Sequence, residues 1–95
     1  MKFEWDANKE KQNIKKHDIS FSVALSVFFD LYRLEWLNKR NSIFEDRFIT
    51  IGYAIKANKI LYVVYCVRDE YIRIISARNA NKVERRNYYD SKTRI

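Results

Sequence analysis

The sequence contains one histidine, and its neighbours make it the first candidate for acid–base chemistry. His17 titrates near neutrality by default, so it can take up or release a proton at physiological pH. It directly follows Lys16, and helical periodicity places Lys9 and Asn13 on the same side. A base among cations suits a substrate that carries phosphate groups. The alternative is a structural histidine that hydrogen-bonds to backbone at the end of a helix.

Two arginines in the segment RIISAR are candidate phosphate ligands. A guanidinium group matches a phosphate with two parallel hydrogen bonds. Strand alternation predicts that Arg73 and Arg78 lie on opposite faces of a sheet, with Arg78 at the mouth of a cleft. A charge in mid-strand requires a partner. Arg73 is therefore expected to bind either a phosphate or a carboxylate from Glu45, Asp46 or Glu70.

The C-terminal segment KVERRNYYDSK combines cations with aromatic rings. Arg85 and Tyr89 are four residues apart, so they share one side of a helix. Aromatic rings such as that of Tyr88 stack on unpaired bases. In the alternative, the tyrosines cover the sheet while Arg85 and Arg86 are solvated. Trp5 has the same two interpretations, since an indole before a helix either staples that helix to the sheet or stacks on a base.

The charge of the chain points to a polyanionic partner. Lys and Arg number 19 against 12 Asp and Glu, which gives a formal net charge of +7. Residues 1–48 contribute +1 and residues 49–95 contribute +6. Such an excess favours nucleic acid without distinguishing DNA from RNA or binding from cleavage. The alternative is a basic surface that serves solubility.

Composition excludes several classes of protein. A chain of 95 residues with 47% hydrophobic side chains is predicted to form one domain, residues 1–95, with a buried core. Its one cysteine, Cys66, lies in the apolar run Ile60 to Val67, so neither a disulfide framework nor a thiolate zinc site is expected. We expect no metal and no cofactor. No apolar run reaches 18 residues and the first residues are charged, which predicts a cytoplasmic protein without a membrane segment.

Hydrophobic periodicity predicts the elements that position these residues. They are helices at 7–16 after Asp6 and at 21–29 after Ser20, strands at 31–37, 45–54, 60–68 and 71–78, and a helix to about residue 90 after Asn81. The fold class is therefore α+β, with two N-terminal helices, a central mainly antiparallel sheet and a C-terminal helix. The strand at 60–68 is apolar on both faces and is predicted to be central, and the strand at 31–37 is predicted to be an edge.

Four fragments of the sequence together resemble the BrnT family of type II toxins. They are FEWDANK, Asn13 followed by Lys16 and His17, Arg47-Phe48 within EDRFITIG, and RIISARNANKVERRNYY. In this order and approximate spacing they span about residues 3–89. The resemblance implies a RelE-like fold and an RNA-cleaving toxin. It also implies neutralisation by a small antitoxin with a DNA-binding domain of the ribbon-helix-helix type, in a complex that binds operator DNA.

Metal-free RNA cleavage needs a base for the 2′-hydroxyl, an acid for the 5′-oxygen and cations for the transition state. The residues that satisfy these needs are the catalytic candidates His17, Lys9, Arg73 and Arg78. The candidate RNA-binding residues are Trp5, Lys16, Arg47, Arg85, Arg86 and Tyr88. The competing hypothesis is a non-catalytic module that binds nucleic acid or the antitoxin.

Overall fold

Residues 1–94 fold into a five-stranded sheet with three α-helices. The structure, a computed structural model, describes residues 1–94, and of Asn41 it describes the backbone alone; Ile95, the last residue of the predicted domain, lies outside them. The strands are β1 (Lys2–Trp5), β2 (Leu34–Leu37), β3 (Arg47–Ala54), β4 (Lys59–Arg68) and β5 (Tyr71–Asn79). The helices are α1 (Ala7–His17), α2 (Phe21–Leu25) and α3 (Lys82–Thr93), with short 3-10 helices at Ser26–Phe29 and Lys39–Asn41. The predicted α+β class is confirmed.

The sheet has the strand order β1-β5-β4-β3-β2. Strands β2 to β5 form an antiparallel meander with β4 in the centre and β2 at an edge, as predicted. Strand β1 pairs in parallel with β5, from Lys2 opposite Tyr71 to Trp5 opposite Ile74. The sheet is therefore mixed, because the N-terminal segment KFEW joins it beside the last strand.

Three predicted elements are shorter than expected, and the first is the strand predicted at 45–54, which begins at Arg47 as β3. The predicted helix at 21–29 divides after Leu25, where the hydroxyl of Ser26 donates to the carbonyl of Val23 (2.6 Å) and a 3-10 helix begins. Strand β2 begins at Leu34 instead of residue 31. The Asp30 carboxylate accepts from the N–H of Tyr32 (2.9 Å), so residues 30–33 form a turn.

Each face of the sheet is covered by a separate hydrophobic core. Helices α1 and α2 cover one face, where the buried side chains include Phe21, Val27, Leu61, Val63 and Ile74. Helix α3 covers part of the other face, where its Tyr88 forms a second core with Ile49, Ile51, Ile60 and Ala80. This two-sided burial explains why β4 is apolar at nearly every position.

The one glycine of the chain allows the 3-10 helix Ser26–Phe29 to approach β3 closely. A Cβ atom at Gly52 would lie 2.7 Å from Cγ1 of Val27 and 2.9 Å from Cβ of Arg33. Both distances are shorter than van der Waals contact. Any larger residue at Gly52 must therefore push this segment away from the sheet.

The carboxylate of Asp30 ties the layers of the fold together. It accepts hydrogen bonds from the Tyr53 N–H (2.8 Å) on β3 and from the Tyr88 hydroxyl (2.5 Å) on α3, in addition to the Tyr32 N–H. Burial alone would raise the pKa of the Asp30 carboxyl, but these three hydrogen bonds hold it below its usual value. The ionised form of Asp30 therefore stabilises the native arrangement of α3.

Within residues 1–94, none of the helices is both long enough and apolar enough to cross a membrane.

Candidate functional site

Helix α1 presents the histidine, and its two ends are fixed by aspartates. Asp6 caps the N-terminus, where its Oδ1 accepts from the N–H groups of Asn8 (2.8 Å) and Lys9 (3.2 Å). The hydrogen bond from Lys9 is the main cause of a lowered pKa at Asp6. The helix ends at His17 because Asp18 turns left-handed (φ 58°). The basic last turn complements the negative end of the helix dipole.

A buried side-chain amide holds α1 against the edge of β5. Strand β1 ends at Trp5, opposite Ile74, so farther along β5 the backbone has no strand partner on that side. Asn13 takes this place: its Nδ2 donates to the carbonyl of Ala77 (2.9 Å) and its Oδ1 accepts from the Ala77 N–H (3.0 Å). Nδ2 also donates to the carbonyl of Ile19 (2.9 Å). This amide fixes the register of α1 relative to β5.

A groove of about 270 Å³ lies between α1 and β5. We call it the α1–β5 groove; it is lined by Lys9, Gln12, Asn13, Lys16, His17, Ile75 and Ser76. The structure thus brings together three of the candidate residues predicted from sequence, His17 with Lys9 and Lys16. His17 is half-buried, whereas both lysines are exposed. The groove therefore places an imidazole, which can accept a proton, beside two cations.

The prediction that Arg73 and Arg78 face opposite ways is wrong, because β5 contains a β-bulge. Ser76 pairs with Val64 and Ile74 pairs with Tyr65, which leaves Ile75 without a partner residue on β4. The extra residue shifts the side-chain alternation by one. Arg73 and Arg78 consequently lie on the same face, with Ser76 between them.

Arg73 is ion-paired, but with a partner that the sequence did not suggest. Its Nη1 lies 3.3 Å from Oε2 of Glu4, the residue beside it on β1. The predicted partners Glu45 and Glu70 bind other cations. One long contact uses one of the five N–H donors of the guanidinium group, so Arg73 retains donors for a further anion.

Arg78 is held much more firmly. Its Nη1 and Nη2 donate to the two carboxylate oxygens of Glu84 (2.8 and 2.9 Å), and its guanidinium carbon lies 3.8 Å from the centre of the Tyr62 ring. The same carboxylate accepts from the N–H of Asn81 (2.8 Å) and completes the capping box of α3. The hydrogen bonds from Arg78 are the main cause of the lowered pKa of Glu84. Arg78 therefore joins β5 to the start of α3.

The remaining candidates are spread over the molecule. Arg47 lies on β3 opposite Cys66, and Cys66 lies opposite Arg73 on β5, so these three side chains share a sheet face. Two strand spacings separate Arg47 from Arg73, about 10 Å between their backbones. The half-buried ring of Trp5 packs edge-on against Phe21 at 6.1 Å, which favours the staple interpretation.

Helix α3 presents its arginines to solvent and buries one tyrosine. Arg85 and Arg86 are exposed, and Nη1 of Arg85 donates to the carbonyl of Ala80 (2.6 Å). Tyr88 is 1% exposed and packs against the sheet with its hydroxyl bound to Asp30. An RNA base cannot reach a ring buried to this degree, so Tyr88 does not fit the predicted RNA-binding role.

Sequence reasoning missed two polar residues of the α1–β5 groove, Gln12 and Ser76. Gln12 is three residues after Lys9 and four before Lys16, so helical spacing was a sufficient signal for it. Ser76 depends on the bulge, for which the consecutive isoleucines Ile74 and Ile75 are the available signal, since they break the two-residue alternation.

The part of the chain that the structure describes brings no three His, Cys, Asp or Glu side chains together in an arrangement that could hold a metal ion.

The fold and the groove describe a small α+β protein whose basic surface suits a polyanion. The family described as "Ribonuclease toxin, BrnT, of type II toxin-antitoxin system" matches residues 5–84, and the chain belongs to this family. The family indicates a ribonuclease toxin and implies an antitoxin protein as its partner. The resemblance found in the sequence is thus confirmed. Comparison with curated proteins finds no match.

Proposed function

We propose that residues 1–95 form a single RelE-like toxin domain, a metal-independent endoribonuclease that acts in the cytoplasm. The observation that carries this proposal is the α1–β5 groove, where His17 lies with Lys9 and Lys16. The groove combines a proton acceptor with cations, the groups that cleavage through the 2′-hydroxyl needs. Membership of the family supplies the RNA substrate class.

The reaction is an attack of a ribose 2′-oxygen on the adjacent phosphorus. His17 accepts the proton of the 2′-hydroxyl as the O2′–P bond forms. The P–O5′ bond then breaks, and the leaving 5′-oxygen takes a proton from the Lys9 ammonium group. The products are a 2′,3′-cyclic phosphate and a 5′-hydroxyl end. Each proton transfer of this kind contributes about 10² to 10⁴-fold to the rate.

The arginines of β5 stabilise the charge that develops on the phosphate. Ser76 lines the groove and lies between Arg73 and Arg78 on one sheet face, about 10 Å and about 7 Å along the strand from them. Arg73 has unused N–H donors and binds the phosphate directly. Arg78 is fixed by Glu84 and contributes its positive charge from a preset position.

The RNA strand and the antitoxin both use the basic surface. Lys16, Arg47, Arg85 and Arg86 bind RNA phosphates on either side of the groove, and Trp5 contacts the strand through the exposed part of its ring. The antitoxin inhibits the toxin by covering this surface with an acidic or amphipathic segment. Its DNA-binding domain carries the complex to operator DNA.

The decisive experiment incubates the purified protein with single-stranded RNA in EDTA. We expect cleavage in the chelator and products with cyclic phosphate ends. His17→Ala should lower the rate by 10² or more. Lys15→Ala, on an exposed position of the same helix outside the groove, is the matched control and should leave the rate unchanged. Cleavage that stops in EDTA and returns with magnesium would refute the metal-free mechanism.

Lysine substitutions test the arginines separately. Arg73→Lys keeps the charge but removes the planar fork, so the rate should fall by about 10²-fold while the circular dichroism spectrum is unchanged. If His17→Ala and Arg73→Lys both retain wild-type cleavage and growth inhibition, the assignment of the site is wrong.

One observation favours the second candidate, a module that binds RNA or the antitoxin without cleaving RNA. Both β5 arginines form ion pairs within the protein, with Glu4 and Glu84. If these pairs are purely structural, the protein should bind RNA in EDTA but release no product with a cyclic phosphate end.

A further inference from the structure

A second cavity lies at the far end of β5, outside the α1–β5 groove. It has a volume of about 430 Å³ and is bordered by the β3–β4 turn, the end of β5 and the first turns of α3. We call it the tyrosine cleft. The side chains that define its chemistry are Tyr53, Asn58, Lys59, Asn79, Arg85 and Tyr89.

The cleft offers aromatic surface, amides and positive charge together. Tyr89 is 51% exposed, so part of its ring is open to a ligand. Two amides, those of Asn58 and Asn79, supply donors and acceptors for the edge of a base. Lys59 and Arg85 supply two cations, and none of the residues described as lining the cleft is acidic.

Internal hydrogen bonds orient several of these groups before any ligand arrives. The Tyr53 hydroxyl donates to Oδ1 of Asn58 (2.6 Å), which leaves the Asn58 NH₂ group as the free end of that amide. Nη1 of Arg85 donates to the carbonyl of Ala80 (2.6 Å) and thereby fixes the guanidinium group at the cleft. Within residues 1–94, neither Lys59 nor Arg85 forms an ion pair. Their charges are available to an external anion.

We propose that the tyrosine cleft binds one nucleotide of the RNA substrate and sets the base preference of cleavage. The base stacks on Tyr89 and hydrogen-bonds to the two amides, while Lys59 and Arg85 bind its phosphate. Asn79 of the cleft lies three residues after Ser76 of the groove, about 10 Å along β5. One RNA strand therefore reaches both sites, so the cleft reads a base close to the bond that is cut.

This inference rests on the proposed ribonuclease function, but its first test does not require cleavage. The ¹⁵N-labelled protein is titrated with each of the four nucleoside 5′-monophosphates and, in parallel, with inorganic phosphate. We expect amide shifts at Asn58, Asn79 and Tyr89 with the nucleotides, at lower concentrations than with phosphate. Equal responses to phosphate alone, or no shifts at these residues, would overturn the inference.

Matched lysine variants then test the charge. Lys59→Gln should weaken nucleotide binding by about tenfold, whereas Lys56→Gln, in the adjacent β3–β4 turn but outside the cleft, should have no effect. Tyr89→Ala should also weaken binding by about tenfold, through lost stacking.

The second test maps cleavage positions on a random-sequence RNA. Tyr89→Ala should change the preferred base at one position near the cut and raise KM more than it lowers kcat. An unchanged base preference and KM, in a protein that cleaves RNA as proposed, refute the cleft and leave the ribonuclease proposal intact. Nucleotide shifts in a protein that cleaves no RNA refute the ribonuclease proposal and leave the cleft as a nucleotide site.

Discussion

Removal of the Asn13 side chain should loosen the attachment of the site helix to the sheet. Asn13 is 6% exposed and makes three hydrogen bonds to backbone, two with Ala77 and one with Ile19. A buried hydrogen bond contributes about 1 kcal/mol net, so the three together contribute about 3 kcal/mol. The higher helix propensity of alanine offsets roughly 0.5 kcal/mol of this loss in stability.

We therefore expect Asn13→Ala to lower the free energy of unfolding by about 2 to 3 kcal/mol, out of a typical total of roughly 5 to 15 kcal/mol. For a domain of this size each kcal/mol lowers the melting temperature by about 4 to 8 °C. Urea denaturation followed by tryptophan fluorescence measures the free energy of unfolding, and the m-value should stay constant.

Two further variants show whether the hydrogen bonds cause the effect. Asn8→Ala makes the same substitution at an exposed position of α1 and should change stability by less than about 0.5 kcal/mol. Asn13→Asp keeps the acceptor for the Ala77 N–H but loses both donated bonds, so it should be at least as destabilising as alanine at pH 7. A loss below about 1 kcal/mol for both Asn13 variants would show that the amide does not hold α1 in place.

Four other outcomes are expected. Tyr88→Phe should cost about 1.5 to 3 kcal/mol of stability in thermal denaturation, because its hydroxyl binds a carboxylate, while Tyr89→Phe should stay within about 0.5 kcal/mol. Gly52→Ala should cost about 1 to 3 kcal/mol through the clash with Val27, and wild-type stability would contradict the close packing. Because the pKa of Glu84 is lowered in the folded protein, its ionised carboxylate contributes stability at pH values above its usual pKa of 4.5, and this contribution is lost as the pH falls. In urea denaturation, the free energy of unfolding of Glu84→Gln should therefore decrease less than that of the wild type as the pH is lowered. The logarithm of the RNA association constant should fall with the logarithm of the salt concentration, with a slope of about −0.7 for each phosphate contacted. A slope near zero would show that the excess of basic residues does not serve RNA binding.

Local signals in the sequence were sufficient for most secondary structure. Asp6, Ser20 and Asn81 precede the three helices and cap them through their side chains, as predicted. Periodicity identified the strands of the meander, and two-sided apolarity placed β4 in its centre. These features depend on neighbouring residues along the chain, which is why they can be read without a structure.

Neighbouring residues along the chain did not predict on which face of the sheet Arg73 and Arg78 lie. The alternation rule fails at Ile75 because the bulge depends on how β5 pairs with β4, a contact between separate segments. The parallel pairing of β1 with β5 likewise joins residues about 70 positions apart, and it brings Glu4 to Arg73. The predicted pairing across the sheet pointed instead to Glu45, Asp46 and Glu70.

The sequence by itself determined the α+β class, the capped helix that carries Lys9, Lys16 and His17, and the family resemblance, because each follows from residue types at local spacing. Only the tertiary structure decided which parts of β5 lie opposite Lys9, Lys16 and His17 in the groove. The bulge, the amide of Asn13 and the buried position of Tyr88 result from packing between distant segments, where burial and hydrogen bonding outweigh local preference.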